Sequence, residues 1–154
     1  MENPINVATR PTRLSFATHI IVLALLGLSF VSGATIWYGQ NANSLADPRS
    51  ARFDVQYWRS LHGALNPFLC VLFGFLAAHH VRVGWQIKAN RWSGLLMELV
   101  FAILILTGMG IYYSPEHWQD TLIQFHRVIG LFVPLSLAIH WIAARQWVKK
   151  VSQK

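Results

Sequence analysis

His126 and His140 stand fourteen residues apart within one apolar stretch, residues 122–147. On an α-helix, fourteen residues rise about 21 Å, and the second ring lies only about 40° around the axis from the first. Both imidazoles then leave one face of the helix, at two depths. An imidazole is costly in hydrocarbon unless something partners it. Two haem irons, one toward each side of a membrane, would supply two partners, and each iron would take a second axial imidazole. His19 and His62 lie at matching depths in two other apolar runs. With both axial positions filled, such irons exchange electrons and do not bind substrate.

The elements that must position these residues are membrane helices. Hydrophobic residues make up 54% of the 154 positions and charged residues 12%, with mean hydropathy +0.38. That is more apolar, and about half as charged, as soluble domains usually are. Four apolar runs, 14–38, 61–81, 92–113 and 122–147, reach the roughly 20 residues that a bilayer crossing needs. With their flanking turns the helices are predicted at about 14–38, 58–82, 92–113 and 121–147. The first two runs carry no Asp, Glu, Lys or Arg; the third carries Glu98, and the fourth Arg127 and Arg145. The expected fold is all-α: one domain over residues 1–154, an integral membrane four-helix bundle. The first run is too long for the core of a signal peptide and is read as a membrane helix.

The net charge of +7 could suggest nucleic acid, but its distribution gives another answer. Arg10, Arg13, Arg82, Lys88, Arg91, Arg145, Lys149, Lys150 and Lys154 fall on one side of the expected bundle, and Arg49, Arg52 and Arg59 on the other. This asymmetry predicts both termini in the cytoplasm. The single cysteine, Cys70, lies in mid-helix, and covalent haem attachment needs a C-x-x-C-H that the sequence lacks.

Depth sorts the histidines. His62 and His126 form a natural outer pair, while His140 on the inner side has three possible partners, His19, His79 and His80. His79 and His80 also sit where headgroup contact would begin, just before Arg82. Gly130 follows His126 by one turn, where a missing side chain would admit the edge of a macrocycle. Pro67 and Pro134 are expected to kink the second and fourth helices. Arg59 and Arg127 could pair the propionates of an outer haem, and Arg13, Arg82 and Arg145 those of an inner one.

The order RLSFATH with Ser32–Gly33, LHGAL, ILTGMGIYY and FHRVIGLFVPLSLAIHWIAA resembles the membrane di-haem cytochromes b. That group includes bacterial cytochrome b-561 and the cytochrome b subunits of formate dehydrogenases and nickel–iron hydrogenases. The resemblance implies two non-covalent b-type haems. It implies His19 with His140 as ligands of the inner haem, and His62 with His126 as ligands of the outer. His80, eighteen residues after His62, returns to the same helical face, so a pairing of the second with the fourth helix stays open.

The implied function is transmembrane electron transfer in a bacterial inner membrane, between the quinone pool and an outer redox protein or catalytic subunit. Quinone turnover moves protons, so a titratable group should lie near the inner haem. Glu98, the only acid within an apolar run, and His79 and His80 are the candidates. Two other readings are a self-contained enzyme exchanging electrons between quinone and a small molecule such as superoxide, and a haem-free membrane scaffold.

Overall fold

A computed structural model describes residues 14–46, 53–86, 88 and 90–153. Among these, the secondary structure is helical throughout. Four helical spans are long and apolar enough to cross a membrane: Phe16–Leu45, Val55–Gln86, Arg91–Tyr113 and Glu116–Lys150. Six α-helices and one π turn build them.

Helix α1 (Phe16–Leu45) starts at Ser15, whose hydroxyl accepts from Thr18 N at 3.1 Å. It runs seven residues past the apolar stretch that ended at Tyr38. The end of an apolar run marks the end of hydrocarbon, not of the helix, and the added turns close on the next element. Asn43 Nδ2 donates to Phe53 O at 2.9 Å, and Phe53 N donates to Asn43 Oδ1 at 2.8 Å. A Cβ on Gly39 would overlap the Phe53 ring, so this approach requires glycine.

Asp54 caps α2 (Val55–Leu76) by accepting from Tyr57 N at 3.0 Å. Pro67 lies within α2 without interrupting it. The helix then widens into a π turn, Ala77–Val81, and continues as α3 (Arg82–Gln86). Lys88 and Asn90, at φ 58° and 46°, reverse the chain in the left-handed region into α4 (Arg91–Tyr113). The last span is two helices, α5 (Glu116–Leu131) and α6 (Val133–Ser152), broken at Phe132. Pro134, in the first turn of α6, has no N–H for the helix before it. The break realises at this proline the kink expected from sequence.

The spans run up and down. α1 packs on α2, and α4 packs on α5 and α6. One end, here the terminal end, holds the start of α1, the end of α3, the start of α4 and the end of α6. The other, the loop end, holds the end of α1, the start of α2 and the connection 114–115. The buried apolar side chains described are Leu26, Leu65, Leu72, Val100, Phe101 and Val133, while many large ones, such as Ile20, Leu99 and Leu135, are exposed on the perimeter as lipid-facing residues are. Lipid tails are as apolar as these side chains, so burial gives helices little reason to associate. Close packing through small residues and cross-helix hydrogen bonds of about 0.6 kcal/mol each must do it. The buried polar residues, Ser32, Thr107 and Ser136, fit that account.

Candidate functional site

Two pairs of imidazoles face each other across the bundle. Toward the loop end, His62 of α2 and His126 of α5 have ring centroids 6.2 Å apart and planes at 89°. Toward the terminal end, His80 of the π turn and His140 of α6 are 6.1 Å apart at 74°. A histidine nitrogen binds a transition metal at about 2.0 Å and lies about 1.1 Å from its ring centre, so two imidazoles on opposite sides of one iron have centroids about 6.2 Å apart. Both pairs are therefore at the separation of bis-axial ligands, and too far apart to hydrogen-bond each other.

The imidazole that the structure sets against His140 is His80, whereas the resemblance implied His19. His19 is exposed, and its Nδ1 is 3.0 Å from Ser15 O in its own helix. His80 faces His140 instead. A π turn holds more residues per turn than an α-helix, which shortens the eighteen-residue separation of His62 and His80 toward the fourteen of His126 and His140. His79 turns away, its ring stacked on Phe75 at 4.7 Å and its Nδ1 3.1 Å from Phe75 O. The exposed ring of His117 lies against Trp118.

Three of the four paired imidazoles share one arrangement. His62 Nδ1 lies 2.9 Å from Ser32 Oγ, His126 Nδ1 2.8 Å from Thr107 Oγ1, and His140 Nδ1 3.2 Å from Ser93 Oγ. Each hydroxyl also donates to a carbonyl of its own helix: Ser32 to Ser29 O at 3.0 Å, Thr107 to Ile103 O at 2.7 Å, Ser93 to Asn90 O at 3.1 Å. A hydroxyl has one proton and two lone pairs. With the proton given to the carbonyl, the oxygen accepts from Nδ1–H. This assigns the tautomer: the proton is on Nδ1, and Nε2 is left with a free lone pair. Metal-bound histidines are commonly fixed in this way by a second hydrogen bond.

Ser32 and Thr107 fall within the quoted motifs Ser32–Gly33 and ILTGMGIYY, but sequence reasoning assigns none of the three hydroxyls a role. A signal was available for two of them: Ser93 and Thr107 are fourteen residues apart on α4, the same interval as the histidines they hold. The glycines beside two of the hydroxyls provide room for the rings. A Cβ on Gly33 would lie 3.3 Å from His62 Cε1, and one on Gly108 would lie 3.5 Å from His126 Cε1. A Cβ on Gly27, Gly74 or Gly130 would meet no atom within 4 Å; Gly27 and Gly74 are exposed and Gly130 is half-buried. Free Nε2 atoms and paired rings at ligand separation fit a haem at each level. His80 is the exception in detail: its Nδ1 is buried and has no hydrogen-bond partner.

The remaining expected site residues are dispersed. Arg127 is half-buried and donates to Gln40 of α1, so α1 already engages the guanidinium expected to face a propionate. Arg59 is exposed. Arg13 lies outside the described residues. Glu98, half-buried on α4, is five residues after Ser93 and nine before Thr107, about 140° and 180° around the helix from them. It therefore leaves a different face. At the terminal end an open groove of ≈ 640 Å³ is walled by Ser15 and Thr18 of α1, Phe75, His79 and His80, and Arg82.

No family model, curated protein or solved structure matches the chain.

Proposed function

We propose that the protein is an integral membrane electron carrier holding two b-type haems, one at each imidazole pair. The observation that carries this reading is the pair of imidazole separations, 6.2 and 6.1 Å, at two depths of one bundle. His62 with His126, and His80 with His140, would hold the two groups, and haem iron bound there would supply one-electron transfer. The chain's own part is to hold four rings in place and to keep their Nδ1 protons committed.

In this reading the termini are cytoplasmic, as the distribution of Lys and Arg favours, and the membrane is a bacterial inner membrane. Electrons pass between quinone at the terminal end and a redox protein or catalytic subunit at the loop end. The terminal-end groove supports the quinone assignment, because an apolar wall with Phe75 and hydrogen-bonding groups from His79, Ser15 and Arg82 suits a ring bearing two carbonyls.

The decisive experiment is the absorption spectrum of the purified protein, oxidised and dithionite-reduced, with pyridine haemochrome analysis. Two haems b per chain are expected. No haem would make the chain a scaffold, and haem c would contradict non-covalent binding. Glu98→Gln tests proton traffic by stopped-flow absorbance. Slowed quinone exchange with unaltered haem spectra would place this acid on the proton route, whereas unchanged kinetics would confine that route to the groove. Turnover of quinol with superoxide by the isolated chain would make it an enzyme in its own right.

A further inference from the structure

The hydroxyl tethers follow a pattern with one place unfilled. On α4, Ser93 and Thr107 stand fourteen residues apart and hold His140 and His126. On α1, Ser32 holds His62. The residue fourteen before Ser32 is Thr18, about 40° around the helix from it, as Ser93 is from Thr107. Thr18 and His80 wall the same terminal-end groove. His80 is also the one paired imidazole whose buried Nδ1 has no partner.

We propose, on the haem reading above, that Thr18 is the fourth tether: its hydroxyl accepts from His80 Nδ1–H when His80 and His140 hold a haem. The proton count can match that of the other three sites, with the Ser15 hydroxyl in place of a backbone carbonyl as the acceptor. Thr18 Oγ1 lies 2.8 Å from Ser15 Oγ. If Thr18 donates its proton there, its lone pairs are left to accept, as those of Ser32, Ser93 and Thr107 do. The bundle is then two equivalent halves, each made of a helix that presents hydroxyls and a helix that presents imidazoles. Thr18 acts through His80 and is a positioning residue.

An acceptor on Nδ1–H raises the basicity of the ligand and favours ferric iron. Loss of the acceptor should raise the midpoint potential of that haem alone. The test uses the full chain, purified with its haem, in four forms: wild type, Thr18→Val, Thr18→Ser and His19→Ala. Potentiometric titration and low-temperature EPR resolve the two haems, and transfer to apomyoglobin measures haem loss. Thr18→Val should raise the potential of the terminal-end haem and speed its loss by about 10–100-fold, while the other haem, an internal control for folding, stays as it was. Thr18→Ser should restore wild-type behaviour, and His19→Ala should change neither haem. Two haems with wild-type potentials and loss rates in Thr18→Val would overturn the tether alone, as would a low-spin signal lost in His19→Ala. A wild-type chain that takes up no haem would overturn the haem reading itself, and the tether with it.

Discussion

Ser32 is the one fully buried side chain in the described bundle, at 0% exposure. A serine pays little for that position here because both sides of its hydroxyl are used, the proton by Ser29 O and a lone pair by His62. Thr107 does the same for His126, with a methyl that valine would keep. On the haem reading, Thr107→Val is therefore expected to preserve the fold and weaken binding of the loop-end haem by about 10–100-fold, measured by haem transfer, while Thr107→Ser retains it. The neighbouring glycines separate by a small margin. A Cβ at 3.3 Å from His62 requires the ring to move by a few tenths of an ångström, whereas 3.5 Å from His126 is ordinary contact. Gly33→Ala should shift the EPR signal of the loop-end haem, and Gly108→Ala should leave it close to wild type. At this scale the sequence shows the histidines and their interval plainly, since imidazoles are rare in hydrocarbon. It shows the tethers poorly, since serine and threonine are ordinary in membrane helices and become distinctive only in register with the rings.

Among the elements, the π turn at Ala77–Val81 decides the most. Counting 3.6 residues per turn, the sequence places His80 on the face of His62, yet it offers nothing that marks a widened turn. The choice among His19, His79 and His80 therefore stayed open on residues alone. Inserting one alanine after Ala78 adds a residue that the already widened turn cannot take up by closing, so it should rotate His80 by about 100° relative to the helix before it. The expected result is loss of the terminal-end low-spin signal with the loop-end signal intact. Retention of both would show that the turn is not what aims His80. Helix ends were less legible than spans. Polar residues such as Gln40 and Asn43 extend α1 beyond its apolar run, while α5 begins at Glu116 in polar sequence. Pro134 did mark its break, because a missing N–H is a backbone property that the residue carries into any context.

The whole molecule was the most legible level, because four long apolar runs have few alternatives in folding space. The orientation proposed from charge is open to a direct test. Fused at residue 154, green fluorescent protein should fluoresce and alkaline phosphatase should be inactive, while phosphatase inserted between residues 46 and 53 should be active; the reverse pattern would invert the bundle. The division of labour between the two halves bears on how the protein is made. Each observed tether joins two helices of the same half, α1 to α2 and α4 to α5 or α6, but each imidazole pair joins one half to the other. A half emerging from the ribosome can thus enter the bilayer as a closed unit, sealed at its loop by Asn43 and Phe53 in the first case, with its rings already aimed. On the haem reading proposed above, neither half alone would own both ligands for any iron. Cofactor capture would then be the last event of biogenesis and a checkpoint on it: only a chain whose two halves have found each other could be loaded, and a cell that degrades unloaded chains would in effect be inspecting that encounter.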